Sequence, residues 1–196
     1  MSRNRKQIRH YHEPGDCHEL TFSCYQNKPF LTNADWNQLL CQSIDRALVR
    51  YEFGLIAFVI MPNHLHLLVY PKQQECQIDR FLFAIKRPFS YRIKELLLQA
   101  EDPLLDELTI QDRPGSTVFR FWQEGAGYDR NLSSQKAVVA SINYIHLNPV
   151  KKALVAQCRD WKWSTARWYE SEGEIVESDL SVISGLPWEF FMKDQG

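Results

Sequence analysis

Apolar and polar positions alternate in two distinct rhythms along this chain. His18 to Tyr25 (His-Glu-Leu-Thr-Phe-Ser-Cys-Tyr) is a β-rich run closed by Asn27-Lys28-Pro29. Thr32-Asn33-Ala34-Asp35 then resembles a helix capping box, with Asp in the reciprocal place usually held by Glu or Gln. Trp36, Leu39, Leu40, Ile44, Ala47 and Leu48 follow at helical spacing. Leu55 to Met61 is an apolar, β-branched run, and Pro62-Asn63 signals a turn. The alternation after Asn63 predicts a second strand, so the two strands should form an antiparallel hairpin.

A second helical stripe runs through Ile78, Phe81, Leu82, Ile85, Phe89, Ile93, Leu96 and Leu97. Pro88 lies inside it and is expected to kink or split that helix. Glu101 to Gly115 carries acids, prolines and a glycine and reads as a surface excursion with no assigned role. Val118 to Gln123 reads as another strand, followed by a flexible Gly125-Ala126-Gly127. A third helix is expected from near Ser133 towards His146. The order strand, helix, strand, strand, helix, strand, helix predicts an α+β fold. Its first six elements match a ferredoxin-like split βαβ, an antiparallel sheet with helices on one face. The pattern divides the chain into a basic N-terminal arm over 1–17, a domain over 18–158 and a C-terminal extension over 159–196. Trp161, Trp163, Trp168 and Tyr169 should pack that extension onto the domain.

Composition narrows the class. The chain has 196 residues, 44% of them hydrophobic and 24% charged, which is ordinary for a globular domain. No stretch is long and apolar enough to span a bilayer, and the basic start Met1 to Gln7 lacks the apolar segment of a signal peptide. A cytoplasmic location and no membrane partner are expected. The five cysteines are scattered, so neither a disulfide framework nor a zinc ribbon is indicated. A formal net charge of -1 argues against a protein that coats nucleic acid non-specifically. The basic residues do gather, at Arg3 to Arg9, at Lys86-Arg87 with Arg92 and Lys94, and at Lys151-Lys152. One basic face is compatible with this, and so are ordinary solvated faces.

The candidate chemistry begins with His64 and His66. Side chains two apart on a strand share a face, so both imidazoles point the same way. Leu65, Leu67 and Val69 point into a core. Two neutral imidazoles on one face can share a divalent metal and leave open positions, as catalysis requires. Two partly buried strand histidines with no ligand would carry the same pattern. Tyr144 and Asn148 are four apart in Asn143-Tyr144-Ile145-His146-Leu147-Asn148-Pro149, which places them on one face of a helix. A phenol with a reference pKa near ~10 needs a polarised electrophile or a nearby base to act as a nucleophile. The histidine pair offers the metal site for that, and Asn148 offers an oxygen ligand suited to magnesium or manganese. Pro149 predicts that the helix ends at or before Asn148. Lys151 and Lys152 are positioned to offset the negative helix end or to contact phosphate, although cations are common at helix ends in any case.

Four blocks carry a resemblance to a known family. They are Met61-Pro62-Asn63-His64-Leu65-His66, Phe121 to Asn131, Tyr144 to Lys151, and Asp160-Trp161-Lys162-Trp163-Ser164. With them the chain resembles the single-tyrosine HUH transposases, and most closely the REP-associated tyrosine transposases, from His18 to about Tyr169. The resemblance puts the HUH pair on His64 and His66, the nucleophile on Tyr144 and a helix-borne third metal ligand on Asn148. It implies a ferredoxin-like fold and a DNA transposition or recombination chemistry dependent on Mg2+ or Mn2+. Tyr144 would nick single-stranded DNA, leaving a 5′-phosphotyrosine link and a free 3′-hydroxyl, and the link would be rejoined without a nucleoside triphosphate. The implied partner is single-stranded or hairpin DNA of the REP kind, met at the bacterial nucleoid by a monomer or homodimer. Arg3, Arg5, Lys6, Lys86, Arg87, Trp122, Lys151 and Lys152 are the candidate DNA contacts, with core packing the alternative for Trp122. Two other readings stay open: an inactive or domesticated hairpin-DNA-binding protein of the same fold, and a hydrolase using metal-bound water.

Overall fold

The structure is a computed structural model and describes residues 16–125 and 127–186. The expected DNA contacts Arg3, Arg5 and Lys6 lie outside the described residues. The main sheet contains β1 (Cys17–Ser23), β2 (Phe53–Met61), β3 (His64–Pro71) and β6 (Tyr128–Leu132). Its order is β2-β3-β1-β6, and every neighbouring pair is antiparallel. Helices α1 (Ala34–Tyr51) and α2 (Ile78–Gln99) complete the ferredoxin-like arrangement. Between α2 and β6 stand α3 (Leu104–Leu108), β4 (Thr109–Arg113) and β5 (Ser116–Phe119). Helix α4 (Gln135–Lys151) and the short α5 (Ala166–Glu170) follow β6. No helix among the described residues is long and apolar enough to cross a membrane.

Both faces of the sheet are covered. Leu20, Phe22, Leu55, Phe58, Ile60, Leu65, Leu67 and Val69 form one core with α1 and α2. Ile56, Ala57, Val59, Met61 and Leu68 form the other with Val138, Ile142 and Ile145 of α4. This two-sided burial is why β2 reads as an unbroken apolar run rather than an alternating one. A register shift between Leu55 and Ala57 lets Ile56 and Ala57 both serve the α4 side.

Several local expectations change. Helix α1 is capped by Asn33, whose side chain accepts from the Trp36 amide at 3.1 Å, while the Thr32 hydroxyl bonds the Pro29 carbonyl. Helix α2 runs unbroken through Pro88. Proline inside a helix costs ~3 kcal/mol, but each large apolar side chain buried returns about 1.5–3 kcal/mol. Phe81 and Ile85 before the proline, and Phe89, Ile93 and Leu97 after it, anchor both halves on the sheet. The fourth sheet strand is Tyr128–Leu132, not Val118 to Gln123. Tyr128–Leu132 alternates weakly because it is an edge strand with one half-exposed face. Ser116–Phe119 instead pairs with Thr109–Arg113 as a separate hairpin, so the excursion over 101–115 has structure of its own. Phe121 and Trp122 leave that hairpin for the core. Gly127, at φ +84, fits where a Cβ would lie 2.2 Å from the Thr21 carbonyl oxygen.

The segment after α4 closes the outer edge of β2. Ile60 N–H donates to the Trp163 carbonyl at 2.8 Å, and the Thr165 N–H donates to Phe58 at 3.1 Å. The Trp161 indole N–H reaches the Ile60 carbonyl at 2.9 Å, and Tyr169 Oη donates to the Ile56 carbonyl at 3.0 Å. Trp161, Trp163 and Tyr169 thus tie the extension to the sheet, and Trp168 packs edge-on against Tyr169. A strand edge that would otherwise offer unpaired backbone groups is covered.

Candidate active site

His64 and His66 open β3 directly after the Pro62-Asn63 turn and face α4, opposite Leu65 and Leu67. Their ring centroids lie 4.9 Å apart, with the planes nearly perpendicular. His66 is buried and His64 half-buried. The cross-strand register sets His66 against Thr21, whose hydroxyl meets His66 Nδ1 at 2.8 Å. His64 Nδ1 lies 2.7 Å from the Asn63 side-chain oxygen. Neither Nε2 has a hydrogen-bond partner among the described residues. Bonding one ring nitrogen so that the other is presented is how proteins prepare imidazole for a metal.

Burial disfavours the imidazolium form. It pushes His66 down to about 4, with the neighbouring His64 adding to the effect. His64 is also lowered, first by burial and then by the charge of Lys152. Both rings are therefore neutral near pH ~7, with lone pairs available to a cation.

Helix α4 brings the second half of the site. Ser134 caps it by accepting from the Ala137 amide, and Val138, Ile142 and Ile145 dock it on the sheet. That docking points Tyr144 at the histidines: its ring lies edge-on to His66 with centroids 5.5 Å apart. Tyr144 is 43% exposed, so its hydroxyl is reachable from solvent. Lys151 Nζ sits 4.9 Å from the centre of the Tyr144 ring, a cation–π distance. The helix does not end before Asn148 but continues through Pro149 to Lys151. Asn148 is buried and its amide donates to the Tyr144 carbonyl at 2.8 Å. That bond occupies Nδ2 and leaves Oδ1 with no hydrogen-bond partner among the described residues. No group of three His, Cys, Asp or Glu suited to a metal occurs among the described residues. A metal here would rest on two imidazoles, an amide oxygen and non-protein oxygens, a donor set that suits Mg2+ or Mn2+.

A cavity of about 480 Å³ opens beside Tyr144 between the sheet and α4. Glu19, Thr21, His66, Tyr128, Arg130, Ser141 and Tyr144 line it. The charged pair Glu19 and Arg130, and the orienting Thr21, escaped sequence reading. The one signal for Glu19 and Thr21 was the polar alternation Glu19, Thr21, Ser23 within a β-rich run.

The other candidate contacts separate. Lys151 and Lys152 stand at the site. Lys86 and Arg87 lie on α2, across the sheet from Tyr144. Lys86 donates to the Gly125 carbonyl at 3.1 Å, and burial lowers its pKa. Arg87 is exposed beside the Phe83 ring. Trp122 is 6% exposed, wedged among Phe22, Phe89 and Phe121, with its indole N–H on the Lys86 carbonyl. Its ring serves the core and is closed to base stacking.

Residues 17–108, β1 through α3 with both histidines, match the family described as "Transposase IS200 like". Over this stretch the chain is similar to the IS200-like transposases. Beyond it, a Haemophilus influenzae protein assigned to the REP-associated tyrosine transposases is 24% identical over 115 residues. That match takes in 59% of this chain and 60% of the relative's length. A solved REP-associated tyrosine transposase bound to a REP hairpin superposes with a TM-score of 0.67 at 19% identity. The superposition covers 93% of this chain and 98% of that one. The fold of that transposase is thus shared along almost the whole chain. The likeness to REP-associated tyrosine transposases expected from the four sequence blocks is borne out. The family match itself stops before Tyr144, so the place of Tyr144 rests on the geometry of α4.

Proposed function

We propose that this protein is a metal-dependent, single-stranded DNA nicking and joining enzyme in which Tyr144 is the nucleophile. The observation that carries the reading is the meeting of His66 and Tyr144, from distant parts of the chain, beside His64 at an open cavity. A core histidine pair would have no reason to stand beside a half-exposed tyrosine at a solvent-open cavity.

His64, His66 and Asn148 would hold a Mg2+ or Mn2+ ion, which supplies charge neutralisation at the scissile phosphate. Thr21 and Asn63 keep the two rings in orientation. The Tyr144 oxygen attacks phosphorus and the bond from phosphorus to the 3′ oxygen breaks. The phenol proton is given up as the 3′ oxygen gains one, leaving a 5′-phosphotyrosine and a free 3′-hydroxyl. Attack by a 3′-hydroxyl on the phosphotyrosine reverses the step, so joining needs no nucleotide hydrolysis. Lys151, beside the Tyr144 ring, favours a developing phenolate and a nearby phosphate. Lys152 adds positive charge next to His64.

The substrate class follows from charge and from kinship. A net charge of -1 gives little general attraction to duplex phosphates. The related structure holds a REP hairpin; we extend hairpin DNA to this chain and propose a single-stranded flank as the strand that Tyr144 attacks.

The test is incubation of the protein and Mg2+ with single-stranded fragments flanking its own gene, followed by a denaturing gel. A protein–DNA adduct that vanishes in Tyr144→Phe is expected. Nicking without any adduct would replace this reading by hydrolysis with metal-bound water. Hairpin binding with neither nicking nor adduct would leave a DNA-binding protein of the same fold.

A further inference from the structure

We propose that the cavity beside Tyr144 is a base-reading pocket that takes one unpaired guanine of the DNA strand, with Glu19 and Arg130 reading its pairing edge. The inference rests on the DNA-processing function proposed above and adds a specificity element to it.

The starting point is a charge in the wrong place. Glu19 is 5% exposed, and its carboxylate lines the same cavity as the proposed nucleophile. A carboxylate beside a site for phosphate opposes substrate by like-charge repulsion, so it needs a compensating task. Glu19 does not belong to a metal cluster, because no such group with a third acidic or histidine ligand forms among the described residues. Among the described residues its two side-chain contacts, Ser141 Oγ at 3.0 Å and the Arg130 guanidinium at 3.9 Å, both fall on Oε2. Oε1 is left to accept hydrogen bonds from whatever enters.

The walls suit a flat, unpaired base. Tyr128 is 56% exposed and Tyr144 43% exposed, so both rings offer surface for stacking. A volume of about 480 Å³ is within the range of small-ligand pockets and holds a nucleotide. Guanine is the base whose pairing edge matches the charged pair. It presents N1–H and N2–H side by side to a carboxylate, and its O6 accepts from a guanidinium next to them. Thymine places carbonyl oxygens on both sides of its single imino donor, which would face the Glu19 carboxylate. Cytosine and adenine each offer one amino group and no adjacent second donor.

Binding of labelled single strands, measured by fluorescence anisotropy without divalent metal, tests this. The probes are a short oligothymidine and the same strand with one central guanine. The protein is the full chain carrying Tyr144→Phe, so that no cleavage contributes. The guanine strand should bind about tenfold tighter, the discrimination typical of one good base contact. In Glu19→Gln the preference should shrink to about twofold or less, because the amide turns a donor towards guanine donors. Arg130→Met, at the exposed rim, should also weaken it, and decides the matter if Glu19→Gln fails to fold. Equal binding of the two strands, or a preference that survives in folded Glu19→Gln or in Arg130→Met, overturns the proposal. Loss of stability in Glu19→Gln with an unchanged preference would mark Glu19 as a tether for Ser141 alone. The outcome is separable from the nicking reading. Guanine preference without an adduct from the wild type retains the pocket and removes the nuclease, and an adduct without base preference does the reverse.

Discussion

Tyr144 meets His66 edge-on across the gap between α4 and β3, with ring centroids 5.5 Å apart. Neither residue is placed by its neighbours in sequence. His66 is fixed by antiparallel pairing with Thr21, and Tyr144 by the docking of Val138, Ile142 and Ile145 against Ile56, Val59, Met61 and Leu68. The second core therefore does more than stabilise the sheet. It aims the exposed face of α4 at the histidines, so packing errors in that core should appear as catalytic errors.

The histidines should separate activity from stability. His64→Ala and His66→Ala are each expected to reduce adduct formation by about a hundredfold or more, as loss of an essential group does. His66→Ala also removes the partner of Thr21 and opens buried space, at a cost of about 1–2 kcal/mol. His64→Ala, half-buried, should cost less. Urea melts beside the denaturing-gel assay measure both. Collapse of stability in both variants would return the pair to a core role.

Asn148→Ala should impair cleavage less than loss of either histidine. An amide is a neutral ligand, and water can replace it on magnesium. The variant also loses the bond to the Tyr144 carbonyl, so a small loosening of α4 is expected. Its mark should be a raised metal requirement, with activity partly regained at high Mg2+ or Mn2+. Superimposable metal titrations for wild type and variant would remove Asn148 from the coordination shell.

The first three sheet strands, the histidine strand among them, and the two long helices α1 and α2 were legible because alternation and helical spacing are strong local signals. His64 and His66 turned one way and Leu65, Leu67 and Val69 the other, as period-two spacing requires. Tyr128–Leu132 was not legible, since an edge strand with exposed polar side chains looks like loop. Pro88 and Pro149 misled for a different reason. Local proline rules ignore the burial that holds both flanks of α2 in place around Pro88, and at Pro149 the preceding turn of α4, with Ile145, His146 and Asn148, is itself buried. The supporting residues Thr21, Glu19, Ser141 and Arg130 depend on strand register and on the docking of α4, which no local pattern encodes.

Trp122 gives a sharp test of packing against DNA contact. Its ring packs among Phe22, Phe89 and Phe121 and is 6% exposed. Trp122→Ala should therefore lower unfolding free energy by about 3–5 kcal/mol, as other large aromatic truncations in cores do. Trp122→Phe should recover much of that and leave hairpin affinity unaltered. A stable Trp122→Phe protein with sharply weaker hairpin binding would reverse the assignment.

Acid should destabilise this fold through its buried histidines. Burial pushes His66 and His146 down to about 4, and His146 Nε2 bonds the Thr165 hydroxyl at 2.8 Å. In the unfolded chain both titrate near ~6.5. Between these values the unfolded chain takes up protons that the folded one refuses, so stability rises with pH through this window. The contribution is complete above about pH 6.5 and is lost as pH falls towards about 4, at about 3 kcal/mol at most for each ring. Carboxylates titrate over part of the same range, so the slope alone is not diagnostic. His146→Gln isolates it, because glutamine keeps a polar partner for Thr165 and does not titrate. The stability gap between wild type and His146→Gln, from urea melts, should narrow from about pH 7.5 to about pH 4.5. Parallel curves for the two proteins across that range would show that His146 is not held neutral by the fold.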